Sequence, residues 1–414
     1  MNEDGMTERN FEDIEVTDFA VREHRSLWLD AWRRMIASRT AMLGLVIVVV
    51  FVLLAVLSHF FWEYDPKIDL DYSLKLKPPT FITTEEIPSV HPFGTDKLGR
   101  DIFRRVAHGG WNSLRVGISA VGISLLIGGV LGLIAGFYES IPLDRIERGF
   151  LVGFIGLALG AIPAWIADLW FIYVLFAALG FAAVLLERLP LSGKLLKIAF
   201  ALAGLLIGGL PSLFVSPYTA VVNGLLGLVI GFTVTMSLGG RLLSNIIMRM
   251  MDIILAFPSI LLAIAIVAFL GPGLDKTMIA VGFVSIPTYA RLVRSTVLSV
   301  IQKEYILAAQ SIGEGHARII LRYIIPNSLS PIIVQTTMGL ASAIIWAAAL
   351  GFLGLGAIPP EPEWGAMLGD SYRFLSSGAW WAVLFPGLAI MLSVLGFNLL
   401  GDGLRDALDP RIRS

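Results

Sequence analysis

The chain contains no cysteine. Disulfide frameworks, thiolate nucleophiles and cysteine-ligated metals are therefore excluded. Charge is scarce as well, at 15% of the 414 residues. An ordinary soluble domain carries about 25%. The 31 basic and 32 acidic residues leave a net charge of -1. The basic excess that marks a nucleic-acid binder is missing, so no nucleic-acid partner is expected. The five histidines, His24, His59, His91, His108 and His316, show no ligand-like spacing, and no metal site is expected. No G-x-x-x-x-G-K-[ST] run is present. The nearest approach, Gly193-Lys194-Leu195, lacks the first glycine and the hydroxyl, so this chain cannot cradle ATP phosphates itself. His, Asp and Glu do not cluster as catalysis requires; Asp252 and Asp370 stand isolated in the sequence. No catalytic residue is expected.

Residues 1–20 lack the positive n-region of a signal peptide. They carry Glu3, Asp4, Glu8, Glu12, Asp13, Glu15 and Asp18 against one Arg9, and residues 1–24 read as a disordered cytoplasmic tail.

What is abundant is apolar surface, at 56% of residues. That composition points to a polytopic membrane protein. A spanning helix needs about 20 mostly apolar residues. Candidate spans fall at 41–61, 112–137, 149–167, 168–186, 196–215, 218–238, 253–270, 277–294, 332–356 and 381–400. Arg22, Arg25, Arg33, Arg34 and Arg39 precede the first, which places the N-terminus in the cytoplasm. Trp28 and Trp32 share a helical face there, as an interfacial helix would place them. The polar stretch 62–111 holds seven basic and eight acidic residues, so charge does not orient it. Arg145, Arg148, Arg188, Lys194, Lys197 and Arg241 mark cytoplasmic breaks, whereas the breaks at Asp168 and Ser216 carry no basic residue. The segment 295–331 and the tail with Arg405, Arg411 and Arg413 read as cytoplasmic, and 357–380 as external. Ten spans with both termini inside satisfy these charges. Pro258 and Pro287 fall inside or beside spans, where a proline kinks a helix. Such helices face a pathway or simply pack.

One cytoplasmic segment has internal design. In 304–312, Tyr305, Ala308, Ala309 and Ile312 recur at helical spacing, and Gly313 breaks the run. A second short helix puts Ile319, Ile320, Tyr323 and Ile324 on one side, and Pro326 is expected to terminate it. Two short helices joined at a glycine form a protrusion whose alanines let a partner approach and whose apolar face a groove could bury. The alternative is an interfacial hairpin without a partner.

Residues 304–327 resemble the EAA loop of ABC importer permeases: E-A-A, three residues, G, nine residues, I-x-L-P. Ala308, Ala309, Gly313 and Pro326 match. Leu307 stands where the glutamate is usual, and Tyr323 and Ile325 replace the isoleucine and leucine. His91, Pro92, Phe93, Gly94, Thr95 and Asp96, followed by Gly99, Arg100 and Asp101, resemble the HPFGTDxxGRD signature of the dipeptide/oligopeptide/nickel family in its C-type subunit. Ala256-Phe257-Pro258-Ser259, Tyr289-Ala290-Arg291, the run from Pro362 to Leu368 and the run from Phe397 to Arg411 fit the same subunit. The resemblance covers about 25–138 and 241–414.

This resemblance implies an all-α, polytopic membrane bundle: a type I ABC importer permease core of six spans. The block 139–240 is then an insertion of about four spans, which must cross an even number of times to keep the core in register. Its interior is almost free of charge, so it reads as a packing or assembly element. The resemblance further implies a permease subunit moving peptides, or a nickel complex or oligosaccharide, across the inner membrane by alternating access. Its partners would be a second permease subunit, two cytoplasmic ATPases that hold ATP and Mg, an extracytoplasmic solute-binding protein and membrane lipid. Glu304, Tyr305, Ala308, Ala309, Gly313, Pro326 and Asn327 would couple to an ATPase. Arg100 and Asp101 would contact the binding protein or hold a local turn at Gly99. Trp364 and Gly365 would shape an external gate or anchor an aromatic belt. Gln335, Thr336, Thr337 and Ser342 are candidates for lining the pathway, or for holding helices together. A self-contained secondary transporter would need coupling charges inside spans that are nearly bare of them.

Overall fold

The computed structural model describes residues 27–61, 70–82, 90–142, 193–212, 221–228 and 240–408, with 147, 175, 178, 179 and 182 as single or paired positions. In chain order its helices are α1 (Leu27–Ala37), α2 (Arg39–Phe61), α3 (Ile102–Ser140), α4 (Gly193–Ser212), α5 (Gly240–Ala256), α6 (Ser259–Leu270), α7 (Leu274–Ile301), α8 (Glu304–Ser311), α9 (His316–Ile319), α10 (Ile325–Phe352), α11 (Trp364–Ser371) and α12 (Trp381–Leu408). Residues 221–228 are also helical. The described residues form no strand, only isolated bridges between Thr80 and His91 and between Thr95 and Asp101. The fold is all-α.

Among the described residues four helices are long and apolar enough to cross a membrane: α2, α3, the α9–α10 run from His316 to Phe352, and α12. The expected span at 253–270 is broken. Helices α5 and α6 meet at a bend of 89° and count as a fifth crossing only together. Pro258, at φ -56°, stands as the residue before α6. Proline disfavours helical geometry in the residue ahead of it, so Phe257 leaves the helix. The expected span at 277–294 is the 28-residue α7, whose Lys276, Arg291 and Arg294 keep it outside that apolar set. In the block 139–240, α4 corresponds to the expected span at 196–215. The spans expected at 149–167, 168–186 and 218–238 lie wholly or largely outside the described residues, as does the tail 1–24.

The chain divides into two compact units. The first holds the described residues up to Leu114, with Ile333–Ile345 and the described residues from Pro362 onward. Its α2 is apolar around its whole circumference and measures about 34 Å at 1.5 Å per residue, enough for a hydrocarbon core of about 30 Å. Glycines let α12 approach it. A Cβ added to Gly44 would sit 2.6 Å from the Leu400 nitrogen, and one on Gly403 would sit 2.2 Å from the Ala41 Cβ. Small residues are how spanning helices approach without a hydrophobic drive between them. Val48, Ile102, Ile344, Trp364, Met367, Trp381 and Phe397 fill the core of this unit.

The second unit holds Arg115–Ile332 and Trp346–Glu361, as far as described. Here α3 and α7 run parallel along a glycine seam. Cβ atoms on Gly128, Gly132 and Gly136 would meet the carbonyl oxygens of Ile286, Ala290 and Arg294 at 2.5, 2.4 and 2.9 Å. Above them Ser124 Oγ donates to Gly282 O at 2.9 Å. At the other end, Glu139 Oε2 accepts from Ser244 Oγ at 2.8 Å and from Arg294 Nη2 at 2.6 Å. The last turn of α3 therefore touches the first turns of α5, although the block 141–239 separates them.

Candidate functional site

Lys303 leaves α7 in extended geometry, and α8 begins at Glu304 with an acidic residue in its first turn. That placement suits the helix dipole. Ile306 and Ala309 point inward and are fully or almost fully buried with Phe137, Val297, Ile319 and Ile324. Tyr305, Leu307, Ala308 and Ile312 face outward. The two alanines thus part company: Ala308 is a surface residue and Ala309 is a core residue. Burial raises the Tyr305 hydroxyl above the usual phenol range.

Gly313 closes α8 at φ +78°. A Cβ there would meet nothing within 4 Å, so backbone geometry rather than space calls for glycine. Its N–H bonds the Gln310 carbonyl at 3.0 Å, and the Glu314 N–H bonds that of Ala309 at 3.1 Å. An open concavity of about 500 Å³ lies here, lined by Ile312, Gly313, Glu314, Gly315, Ala317 and Arg318.

Pro326 does not terminate the second helix, contrary to the sequence reading. It sits in the first turn of α10, in an almost continuous helical run from His316 to Phe352. A π-helical turn over Ile320–Ile324 absorbs it, with the Ile325 N–H reaching back five residues to Ile320 O. The wider turn moves the backbone register past a residue with no N–H. Asn327 Nδ2 donates to the Tyr323 carbonyl at 2.6 Å. The apolar face expected here for a partner is also spoken for: Ile319 and Ile324 are buried, and Ile320 and Tyr323 pack against the same core. The exposed apolar residues of the segment are Tyr305, Leu307 and Ile312 around α8, together with Leu321 on the π turn. At the base of the segment, His316 Nδ1 lies 2.9 Å from Glu147 Oε2.

In the first unit, residues 91–101 fold into a closed knot. Asp96, 2% exposed, accepts from the backbone of Leu98 and Arg100, from Arg100 Nε at 2.8 Å, and from Arg105 Nη1. His91 Nδ1 pairs with Asp101 Oδ2 at 2.9 Å, and Asp101 Oδ1 caps α3 through the Phe103 N–H at 2.7 Å. That cap starts α3 ten residues ahead of the expected span. Thr95 is fully buried and bonds Leu74 O. Phe93 stacks on Phe385 at 3.9 Å, and Pro92 is half-buried beside it in sequence. Gly94 and Gly99 hold φ +73° and +78°, and a Cβ on Gly99 would fall 1.6 Å from Asp71 O. Arg100 is 3% exposed, so the geometry supports the local turn, not an outward contact.

Trp364 and Gly365 are buried as well. The Trp364 indole donates to Val106 O at 2.8 Å. Next to it lies a residue the sequence reading passed over: Glu363, 2% exposed, caps α11 through the Gly365 and Ala366 N–H groups at 2.9 and 2.8 Å. Burial pushes its carboxyl up to about 7 against those two hydrogen bonds. Gln335, Thr336 and Thr337 are half-buried on α10, and Ser342 is exposed. Thr337 and Ser342 bond the carbonyls four residues back, at 3.0 and 3.3 Å. Asp252 and Asp370, isolated in the sequence, are ion-paired with Arg291 and Lys97 at 2.7 Å each. Among the described residues no group of His, Asp and Glu could hold a metal.

Residues 223–414 match the model of the binding-protein-dependent transport system inner membrane component. Residues 26–79 match the N-terminal TM domain of oligopeptide transport permease C. Over 94% of its length the chain is 37% identical to a dipeptide transport system permease protein of Alkalihalophilus pseudofirmus, covering 91% of that relative. It is 34% identical to a di/tripeptide transport system permease protein of Pseudomonas aeruginosa, with 92% of each chain covered. It is 33% identical to a glutathione transport system permease protein of Pectobacterium atrosepticum, with 94% and 93% covered.

Proposed function

The chain belongs to the family of binding-protein-dependent transport system inner membrane components, in its oligopeptide permease C branch, and on that premise we propose how it works. It is a multi-pass inner-membrane permease subunit of an ABC importer that takes small peptides. Both termini and the segment 302–315 lie on the cytoplasmic side. A second permease subunit, two ATPases and a solute-binding protein complete the machine. ATP and Mg sit on the ATPases, since this chain has no phosphate-binding loop, and the chain itself is not catalytic.

The observation that carries the coupling reading is the two-sided build of α8. Ile306 and Ala309 root it in the core that also holds α7 and the start of the α9–α10 run. Tyr305, Leu307, Ala308 and Ile312 remain outside for a partner. A helix fixed this way moves as one body with the spans at its two ends. ATP-driven closure of the ATPases would carry α8, α7 and α10 with it and switch the access of the pathway. With Leu307 in place of a glutamate, docking rests on shape and apolar contact, not charge.

The contact of Glu139 with Ser244 supports an even number of crossings for 139–240, because the block leaves and re-enters the core at one place. Purification of the tagged chain should bring a second permease and two ATPases with it. In liposomes, dipeptide import should need ATP and a loaded binding protein. Import by this chain alone, without ATP, overturns the proposal.

A further inference from the structure

Helix α5 carries three stripes. Leu243, Ser244, Ile247 and Met251 are buried on the side of α3 and α7. Leu242, Ile246, Met250 and Ile253 are apolar and exposed, as lipid-facing residues are. The third stripe is polar and exposed: Arg241, Asn245, Arg249 and Asp252. At 3.6 residues per turn it lies about a third of a turn from each of the others. Arg291 of α7 joins it through its ion pair with Asp252 at 2.7 Å, and the two side chains are 52% and 47% exposed. The stripe stops at the Pro258 break, since α6 beyond it has no polar side chain after Ser259.

Charge on a lipid face is costly, so charged residues in spans face a wet cavity or a partner. This stripe holds three arginines against one aspartate, and Asp252 is already shared with Arg291. The excess is positive and suits a carboxylate. We propose that the stripe is the wet lining of the cytoplasmic end of the transport route, where Arg249 and Arg291 meet the C-terminal carboxylate of a peptide in transit. The proposal rests on the peptide-importer reading above.

The absence of native cysteine makes single-cysteine labelling of this chain free of background from the chain itself. The complete complex, with partner permease, ATPases and binding protein, is placed in inside-out vesicles. Asn245→Cys and Arg249→Cys should react with a charged, membrane-impermeant thiosulfonate about tenfold faster than Met250→Cys, because thiolates form in water. If they are as slow as Met250→Cys in the complex but fast in the isolated chain, the partner permease covers the stripe and the proposal is wrong. Slow reaction in both places it against lipid, which also overturns it.

The carboxylate contact is tested by import from binding protein loaded with a dipeptide or with its C-terminal amide. The double variant Asp252→Asn/Arg291→Gln removes the ion pair without stranding either charge. It should slow the free acid about tenfold, the value of one charge-assisted hydrogen bond, and spare the amide. An equal loss for both substrates overturns the contact. Dipeptide import by the unaltered complex is measured alongside. Its failure would sink the peptide reading; its success with failed labelling sinks only the stripe.

Discussion

At Gly132 the backbone of α3 runs so close to Ala290 of α7 that an added Cβ would lie 2.4 Å from the Ala290 carbonyl oxygen. The obstacle is backbone, which cannot step aside as a flexible side chain can. Gly132→Ala must push the two helices apart along the seam, and overpacking of this kind costs about 1–3 kcal/mol. Gly129→Ala is the control, because its Cβ would meet only the Leu125 Cδ1, at 3.6 Å. Thermal unfolding of the detergent-solubilised chain should show a clear drop for the first variant and little for the second. Equal midpoints would refute the tight seam.

Asp96 neutralises two buried guanidiniums, and the Nε of Arg105 is buried without a hydrogen-bond partner. Asp96→Ala strands both positive charges, at a cost of about 3–5 kcal/mol. Lys97→Ala breaks only the half-exposed pair with Asp370 and should cost under about 1 kcal/mol. The yield of folded protein by size-exclusion chromatography, followed by melting, separates the two. A mild Asp96→Ala phenotype would mean that the knot is looser than its burial suggests.

Glu363 links pH to the start of α11. Its folded-state pKa, about 7, lies above the ordinary 4.5, so the folded protein holds a proton that the unfolded chain releases. The stabilisation is complete below about pH 4.5 and is lost as pH rises through about 7, for a total of roughly 3 kcal/mol. Glu363→Gln stays neutral and keeps an acceptor for the cap. Melting temperature measured from pH 5 to 8 should fall in the parent protein and fall less in the variant. Identical slopes would show that Glu363 does not titrate in this range.

Gly313 sets the exit from α8. Gly313→Pro forbids φ +78° and removes the N–H that bonds Gln310 O. Gly315→Ala is the control, with φ -69° and open space around its Cβ. The proline variant should hydrolyse ATP in the assembled complex while import falls at least about tenfold, a coupling loss of about 1.4 kcal/mol or more. Normal import by this variant would count against α8 as the coupling element.

Structure is legible in the sequence where one local rule decides the outcome. The apolar run 41–61 became α2 within two residues at its start, since nothing interrupts it. Gly313 was legible because a glycine after a helical repeat marks a left-handed exit. Pro326 misled because the terminator rule assumes four-residue hydrogen bonding, and the π turn at Ile320–Ile324 changes that spacing. Pro258, where the sequence rule predicts a kink, makes a full break of 89°. The buried knot around Asp96 could be half seen, because His91, Asp96, Arg100 and Asp101 are neighbours in sequence. The Asp252–Arg291 pair was not visible: 39 positions separate its members, and each looks like a lone charge. Glu363 hid for another reason, since its burial comes from the surrounding packing and leaves no mark in its own neighbours.

The α3–α7 seam also has a consequence in time. Ser124 and Gly282, which bond across it, are 158 positions apart. At about 5–20 residues per second, the ribosome needs roughly 8–30 s to add that much chain. For that interval α3 stands in the bilayer with Gly128, Gly132 and Gly136 facing no partner. Much of the delay is the synthesis of the block 139–240 itself. The α3–α7 groove therefore stays open while the block 139–240 is made, and the length of that block sets how long α3 waits for its partner.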